Sequence, residues 1–372
     1  MGTATMNDLI PIVMPKWGLS MEEGTVATWH FAEGDTVPPG AELVDIETSK
    51  LLNTLEAKQG GTLFRIVCKE GAQGPCGSLI AVMGQGDAAS AEELDAFVAQ
   101  FVVTSEETAA AGERGAVVAD RIAVDGLALN YVEMGDGDET VLFLHGFGGE
   151  SGNWLLVQSE VAARCRTIAL DLPGHGGSDK ALPGAGDLAA LAAHIRRFLD
   201  EMGIGKVHLV GHSFGGAVAN RMAAGSDGRV LSLTLVAPLL GGLDLDRSFL
   251  HEFVAARRSR DLREVLSRLV ADPGNIGRAM VEDVLRYKRV DGVAAVLAQL
   301  IALAEQEALS GTPEPGAPAL AIWGERDRII PLPAAGSLGS RTRLEVIRAA
   351  GHLPHLEQPG QVARIILDAL EA

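Results

Sequence analysis

Over residues 7–84 apolar residues come in short runs, IPIVMPKWG, GTVATWHF, AELVDIET, LLNTLEA, GTLFRIV and SLIAVMG. The separators EGD, PPG, QGG and EGAQGPCG are rich in Gly and Pro, and short strands at such spacing predict a small all-β sandwich or barrel. Residues 85–115 change to Ala, Gly, Ser and acid, a linker composition. Within it Leu94, Phe97, Val98, Phe101 and Val102 recur at helical spacing. This short amphipathic segment is expected to pack on the chain's own domains, with partner docking as the alternative. From residue 116 onward apolar runs (LALNYVEMG, TVLFLHG, RCRTIALD, VHLVGHS, LSLTLVAP, PALAIWG, RLEVIRAAG) alternate with helical patterns such as DLAALAAHIRRFLDEMG. That alternation predicts a mostly parallel sheet covered on both faces. One interruption, about 240–312, is nearly all helical and predicts an inserted cap. The expected domains are therefore 6–84, a linker at 85–115, and 116–372.

The 372 residues suffice for two or three domains, and a net charge of −18 argues against nucleic acid or an anionic membrane as a general partner. Cys68, Cys76 and Cys165 are too few and scattered for a disulfide framework, and no metal-ligand spacing is present, so no metal is expected. No signal peptide and no run near the ~18 apolar residues of a membrane span are seen. A cytoplasmic location is the simplest expectation.

Val44 and Ile46 alternate with Asp45 and Glu47, so one face of this strand is apolar and the other wet. Thr48, Ser49 and Lys50 make a turn, and LLNTLEA returns, which presents Lys50 at a hairpin tip. Exposed hairpin lysines are common, and geometry alone does not assign this one a role. The stretch MPKWGLSMEEGTVATWHFAEGDTV, the turn DIETSKLLNTLEA and Gly61, eleven residues after the lysine, together resemble a lipoyl domain. The resemblance implies lipoate bound covalently to Lys50 as N6-lipoyllysine. Ser49 and Leu51 depart mildly from the family's more usual Asp and Ala; related biotinyl domains carry Met-Lys-Met.

Gly211-His212-Ser213-Phe214-Gly215 is a G-x-S-x-G elbow placed after a strand and before an apolar helical run. A serine needs a base and an orienting acid. Asp327 in GERDRIIP and His352 in RAAGHLPHLEQP each lie just beyond a strand, in the order Ser, Asp, His. The backbone amides of Phe147, in LFLHGFGG, and Phe214 are the candidate oxyanion hole. With DLPGHGGSD between them, these motifs resemble the α/β-hydrolase fold over about 250 residues, which implies Ser213 as nucleophile, Asp327 as acid and His352 as base. Asp171 is the rival acid and takes a structural reading. His145 and His212 are expected to shape the oxyanion loop and elbow, His175 its own turn, and His355 a neighbour of the base.

The pairing of the two modules resembles the acetyltransferase components of bacterial acetoin-cleaving dehydrogenase complexes. Such a component implies an acetyl group received on lipoyl-Lys50 and passed to coenzyme A as co-substrate. Implied partners are thiamine-diphosphate-dependent acetoin dehydrogenase subunits, dihydrolipoamide dehydrogenase and a lipoyl-attaching enzyme; homo-oligomerisation stays open. Ordinary oxo-acid acyltransferases carry an H-x-x-x-D-G motif, absent here, and no peripheral-subunit-binding domain follows the lipoyl stretch. Transfer would then fall to the serine site. Two alternatives remain: a carrier-linked esterase or thioesterase releasing the acyl group to water, and a lipoyl carrier with a non-catalytic scaffold. Residues 244–289 hold ten basic residues against eight acidic ones, either a solvated cap surface or a seat for coenzyme A phosphates.

Overall fold

The computed structural model describes residues 9–15, 23–47, 52–57, 59–76, 78–84, 90, 93–95, 97–98, 118–224, 228–333, 338 and 342–371. The chain divides into two compact units, one built on Met1–Arg114 with Gly277–Met280 and the other on Gly115–Ile276 and Val281–Ala372.

The first unit is a sandwich of two four-stranded sheets. Strands β1 (Leu9–Val13), β2 (Glu23–Trp29), β3 (Thr36–Val37), β4 (Glu42–Glu47), β5 (Leu52–Glu56), β6 (Gly61–Ile66), β7 (Gln73–Pro75) and β8 (Leu79–Gly84) are ordered β1-β8-β6-β3 and β5-β4-β2-β7. Val26, Leu43, Val44, Ile46, Leu63, Ile80 and Met83 fill the space between them. The β4–β5 hairpin pairs Glu47 with Leu52, and Thr54 Oγ1 donates to Asp45 Oδ1 at 2.6 Å on its wet face. Residues 48–51, Lys50 included, lie outside the described residues. Gly61 has a steric reason: a Cβ there would sit 2.7 Å from the Gly84 carbonyl oxygen of the neighbouring strand. Leu94, Phe97 and Val98 pack with Leu9, Phe64, Leu79 and Val82 of this same unit. Ser90 and Glu93 close a reciprocal capping box at the start of that segment. Phe101 and Val102 lie outside the described residues.

The second unit holds an eight-stranded sheet of β9 (Val118–Val124), β10 (Leu127–Met134), β11 (Thr140–Leu144), β12 (Arg166–Leu170), β13 (Val207–His212), β14 (Val230–Val236), β15 (Ala319–Gly324) and β16 (Thr342–Ile347). Their order is β16-β15-β14-β13-β11-β12-β10-β9. β11 to β16 run parallel, while β9 and β10 form an antiparallel edge hairpin. Asp125 and Gly126, both at positive φ, make its two-residue turn. Every residue of β11, β13 and β15 is buried, which requires cover on both faces of the sheet's centre. The cover includes two packed helix pairs: α1 (Leu155–Val161) with α9 (Pro359–Leu370), and α2 (Leu188–Glu201) with α3 (Ser213–Ala223). Between β14 and β15 the chain makes the cap helices α4 (Arg247–Ala255), α5 (Ser259–Leu266), α6 (Arg278–Tyr287) and α7 (Val293–Leu309). The one-turn helix α8 (Pro354–Glu357) follows His352.

Candidate active site

Ser213 stands where β13 becomes α3, at φ +48°, a left-handed conformation that a non-glycine residue holds only under tertiary constraint. Its neighbours must be glycine: a Cβ on Gly215 would lie 2.3 Å from the His145 carbonyl oxygen, and one on Gly211 would lie 2.6 Å from the Gly215 carbonyl oxygen. The turn thus lifts a hydroxyl at the carboxyl end of a central strand, with the first amides of a helix behind it.

Asp327 follows β15 and His352 follows β16. His352 Nδ1 lies 2.8 Å from Asp327 Oδ2, with both side chains buried. Asp327 Oδ1 accepts from the amides of Ile329 (2.8 Å) and Ile330 (3.0 Å), so both carboxylate oxygens have partners. This bond leaves Nε2 as the nitrogen free to act as base. Among the described residues no hydrogen bond joins Ser213 Oγ to His352, whose Nδ1 is bonded to Asp327.

The amide of Phe147 is oriented by a histidine. His145 Nε2 accepts from Leu172 N–H at 3.0 Å, so Nδ1 carries the proton and donates to the Gly146 carbonyl at 2.8 Å. In a trans peptide the Phe147 N–H then points the opposite way. Gly146 itself packs on the nucleophile, because a Cβ there would lie 3.1 Å from Ser213 Cβ. Phe147 meets the cap residue Phe253 edge-on, at 5.7 Å between ring centroids. Phe214 is buried in the core, and its amide is among the unbonded first N–H groups of α3.

Asp171 is consumed by structure. Its carboxylate accepts from the amides of Ser151 and Gly177 and from Asn130 Nδ2. His175 is fully buried edge-on to His145, and burial holds its imidazole well below the usual histidine range. His212 Nε2 donates to the His352 carbonyl at 2.9 Å. Its ring packs against those of both His352 and His355, and Trp154 packs against His355. Burial first, and then His352, push the His355 imidazole down to about 3.

Three contributors were invisible in the sequence: Phe253 over the oxyanion loop, Lys288, and Glu357 beneath the base. Lys288 Nζ donates to the Phe253 and Ala256 carbonyls at the end of α4, and burial with nearby Arg257 lowers it to about 8. All three are long-range contacts without a local pattern. Of the cap cations, Arg268 pairs with Asp246 and Glu252, Arg258 with Asp261 and Arg286 with Asp283, while Arg257 and Arg260 are exposed. Among the described residues no group of three or more His, Cys, Asp or Glu could hold a metal ion, and no helix is long and apolar enough to cross a membrane.

An elbow serine, a buried His–Asp pair and a parallel sheet with a helical cap define an α/β hydrolase, here on one chain with a lipoyl-type sandwich. The family model "Alpha/beta hydrolase family" matches residues 141–365, and "Biotin-requiring enzyme" matches residues 10–83. The chain is 40% identical over 365 residues to the dihydrolipoyllysine-residue acetyltransferase component of the acetoin cleaving system of Cupriavidus necator, covering 96% of both chains. It is 38% identical to the component of the same name from Pseudomonas putida, covering 97% of this chain and 98% of that one. Among solved structures, a membrane phospholipase A aligns with a TM-score of 0.61 and 26% identity, covering 76% of this chain and 94% of that one. The chain belongs to the α/β-hydrolase family and, within it, to the lipoyl-bearing dihydrolipoyllysine-residue acetyltransferase components of acetoin cleaving systems.

Proposed function

We propose that this chain accepts an acetyl group on a lipoyl arm at Lys50 and passes it to coenzyme A through Ser213, His352 and Asp327. The observation that carries the reading is the 2.8 Å buried bond between His352 and Asp327 beside the strained serine elbow, in a chain that also contains a lipoyl-type hairpin. The hairpin fits the modification, because the β4–β5 register closes with Glu47 opposite Leu52 and leaves only the four residues containing Lys50 to join them. When attached, lipoate supplies a long arm with two sulfurs, one of which carries the acyl group as a thioester.

Ser213 Oγ gives its proton to His352 Nε2 and attacks the thioester carbonyl, while the amides of Phe147 and Phe214 hold the oxyanion. As the C–S bond breaks, His352 would return its proton to the departing sulfur, and Ser213 would keep the acetyl group. The coenzyme A thiol then gives its proton to His352, its sulfur attacks the acetyl-serine carbonyl, and Ser213 Oγ leaves with that proton. Asp327 holds the imidazole and stabilises its charged form throughout. Phe253, against Phe147, helps to exclude water, the competing nucleophile.

The partners that suit this chemistry are a thiamine-diphosphate-dependent enzyme that cleaves acetoin, a dihydrolipoamide dehydrogenase and a lipoyl-attaching enzyme. Cys68, Cys76 and Cys165 are too few and too scattered for a disulfide framework, which favours a reducing, cytoplasmic setting. Release of the acyl group to water is the second reading, favoured by a triad of the kind hydrolases use and by likeness to a phospholipase. A rapid-quench turnover with labelled acetyl thioester and no coenzyme A tests the covalent step. The label is expected on the peptide containing Ser213; its absence there through a full turnover contradicts the acetyl-serine route.

A further inference from the structure

The loop that carries the base is gripped along its backbone. His352 N–H donates to the Leu269 carbonyl at 2.8 Å, and the His352 carbonyl accepts from His212 Nε2 at 2.9 Å. The preceding amide, Gly351 N–H, donates to Glu357 Oε2 at 2.6 Å. The other oxygen of the same carboxylate, Oε1, accepts from Ala271 N–H at 2.6 Å. Leu269 and Ala271 belong to the cap, just after α5. A Cβ on Gly351 would come 2.8 Å from the Ala271 nitrogen, so the two backbones touch. The loop of the acid grips this segment too: Arg328, next to Asp327, donates to the carbonyls of Ser267 (2.5 Å) and Val270 (2.9 Å). Cap residues 267–271 are thus bound from both catalytic loops.

Glu357 is costly where it stands. Burial pushes its carboxyl up to about 7, with Asp327 adding to the rise and the two amides and His352 opposing it. A carboxylate offers two oxygens in a fixed fork, and each meets one backbone donor here. An apolar residue in its place would leave the amides of buried Gly351 and half-buried Ala271 without this partner.

We propose that Glu357 is a positioning residue for the acyl-transfer reaction: its carboxylate ties the His352 loop to cap residues 269–271 and so keeps the base aligned between Asp327 and Ser213. The proposal rests on the triad reading above. Glu357 acts through His352 and bonds only backbone amides, so its loss is expected to lower kcat and leave KM unchanged.

The test uses the full-length lipoylated protein, comparing wild type, Glu357→Gln and Ser213→Ala for acetyl-CoA formation from acetyl-dihydrolipoamide. Glutamine keeps one acceptor but turns an N–H₂ toward the second amide. Glu357→Gln is expected to lose roughly 10- to 100-fold in kcat at constant KM, the scale of a small misplacement of a catalytic group. The downfield proton resonance of the His352–Asp327 bond is expected to shift or broaden while the unfolding midpoint shows the protein still folded. Wild-type kcat and an unchanged resonance overturn the proposal, as does a kcat loss fully accounted for by unfolded protein. If Glu357→Gln is insoluble, Glu357→Asp, which keeps the charge but withdraws it by one methylene, is expected to lose kcat several-fold at constant KM; wild-type kcat there overturns the proposal. Ser213→Ala separates the two claims: if it transfers acetyl normally the triad reading fails, whereas its inactivity beside a fully active Glu357→Gln defeats this proposal alone.

Discussion

Asp327 divides its carboxylate between two tasks, one oxygen on the amides of Ile329 and Ile330 and the other on His352 Nδ1. Asparagine can keep only one of them. With its oxygen on the amides, its N–H₂ faces the imidazole and forces the wrong tautomer. Asp327→Asn is therefore expected to lower kcat about 10⁴-fold with little change in unfolding temperature, and steady-state kinetics beside a melting curve checks both. The buried histidines predict a pH effect on folding. His355, at about 3, and His175 and His212, well below their usual value, bind fewer protons folded than unfolded. Stability is thus fully present above about pH 6.5 and falls as pH drops toward 3. Unfolding midpoints should decline through that window, and His355→Phe should flatten part of the decline; a midpoint independent of pH from 7 to 4 would contradict this. The placement of Ser213, Asp327 and His352 just beyond β13, β15 and β16 was legible because each follows an apolar strand run. His355 was expected beside the base, packed or at the surface; that it is buried was not legible, since its contacts with Trp154 and His212 come from residues distant in the chain.

Elements were legible in proportion to the regularity of their burial. β11, β13 and β15 are buried throughout and read as continuous apolar runs. β9 was missed because it is an edge strand, exposed over most of its length, and shows neither a run nor an alternation. The cap read as one helical block, since periodicity does not reveal where a chain turns; the structure breaks it into four helices, with Gly292 at φ +84° capping α7. Two predictions belong to this scale. Phe253, on α4, covers Phe147, and Phe253→Leu is expected to raise the share of acetyl released as acetate at the expense of acetyl-CoA; an unchanged product ratio would remove Phe253 from the water barrier. Gly61→Ala drives a methyl toward the Gly84 carbonyl oxygen and should destabilise the lipoyl-type sandwich by about 1–3 kcal/mol. Lipoylation of Lys50 should fall while hydrolysis of a small activated acetyl ester at the serine site persists; equal loss of both would show that the sandwich and the hydrolase unit fail together.

At the scale of the whole molecule, one chain carries both a lipoyl-type sandwich and an α/β-hydrolase unit. Residues 85–115 join the two units in sequence, and Leu94, Phe97 and Val98 of that stretch pack on the first unit. The pairing explains why a family of hydrolase fold contains components named as acetyltransferases: a serine site becomes a transferase when a thiol outcompetes water for the acetyl-serine. The central claim is therefore that transfer runs through Ser213. The direct measurement supplies lipoylated protein with acetyl-dihydrolipoamide and coenzyme A, and quantifies acetyl-CoA and acetate for wild type and Ser213→Ala. The account predicts acetyl-CoA as the main wild-type product and a loss of at least about 10³-fold in the mutant. Acetyl-CoA formation unchanged by the mutation, or acetate as the main wild-type product, would contradict it.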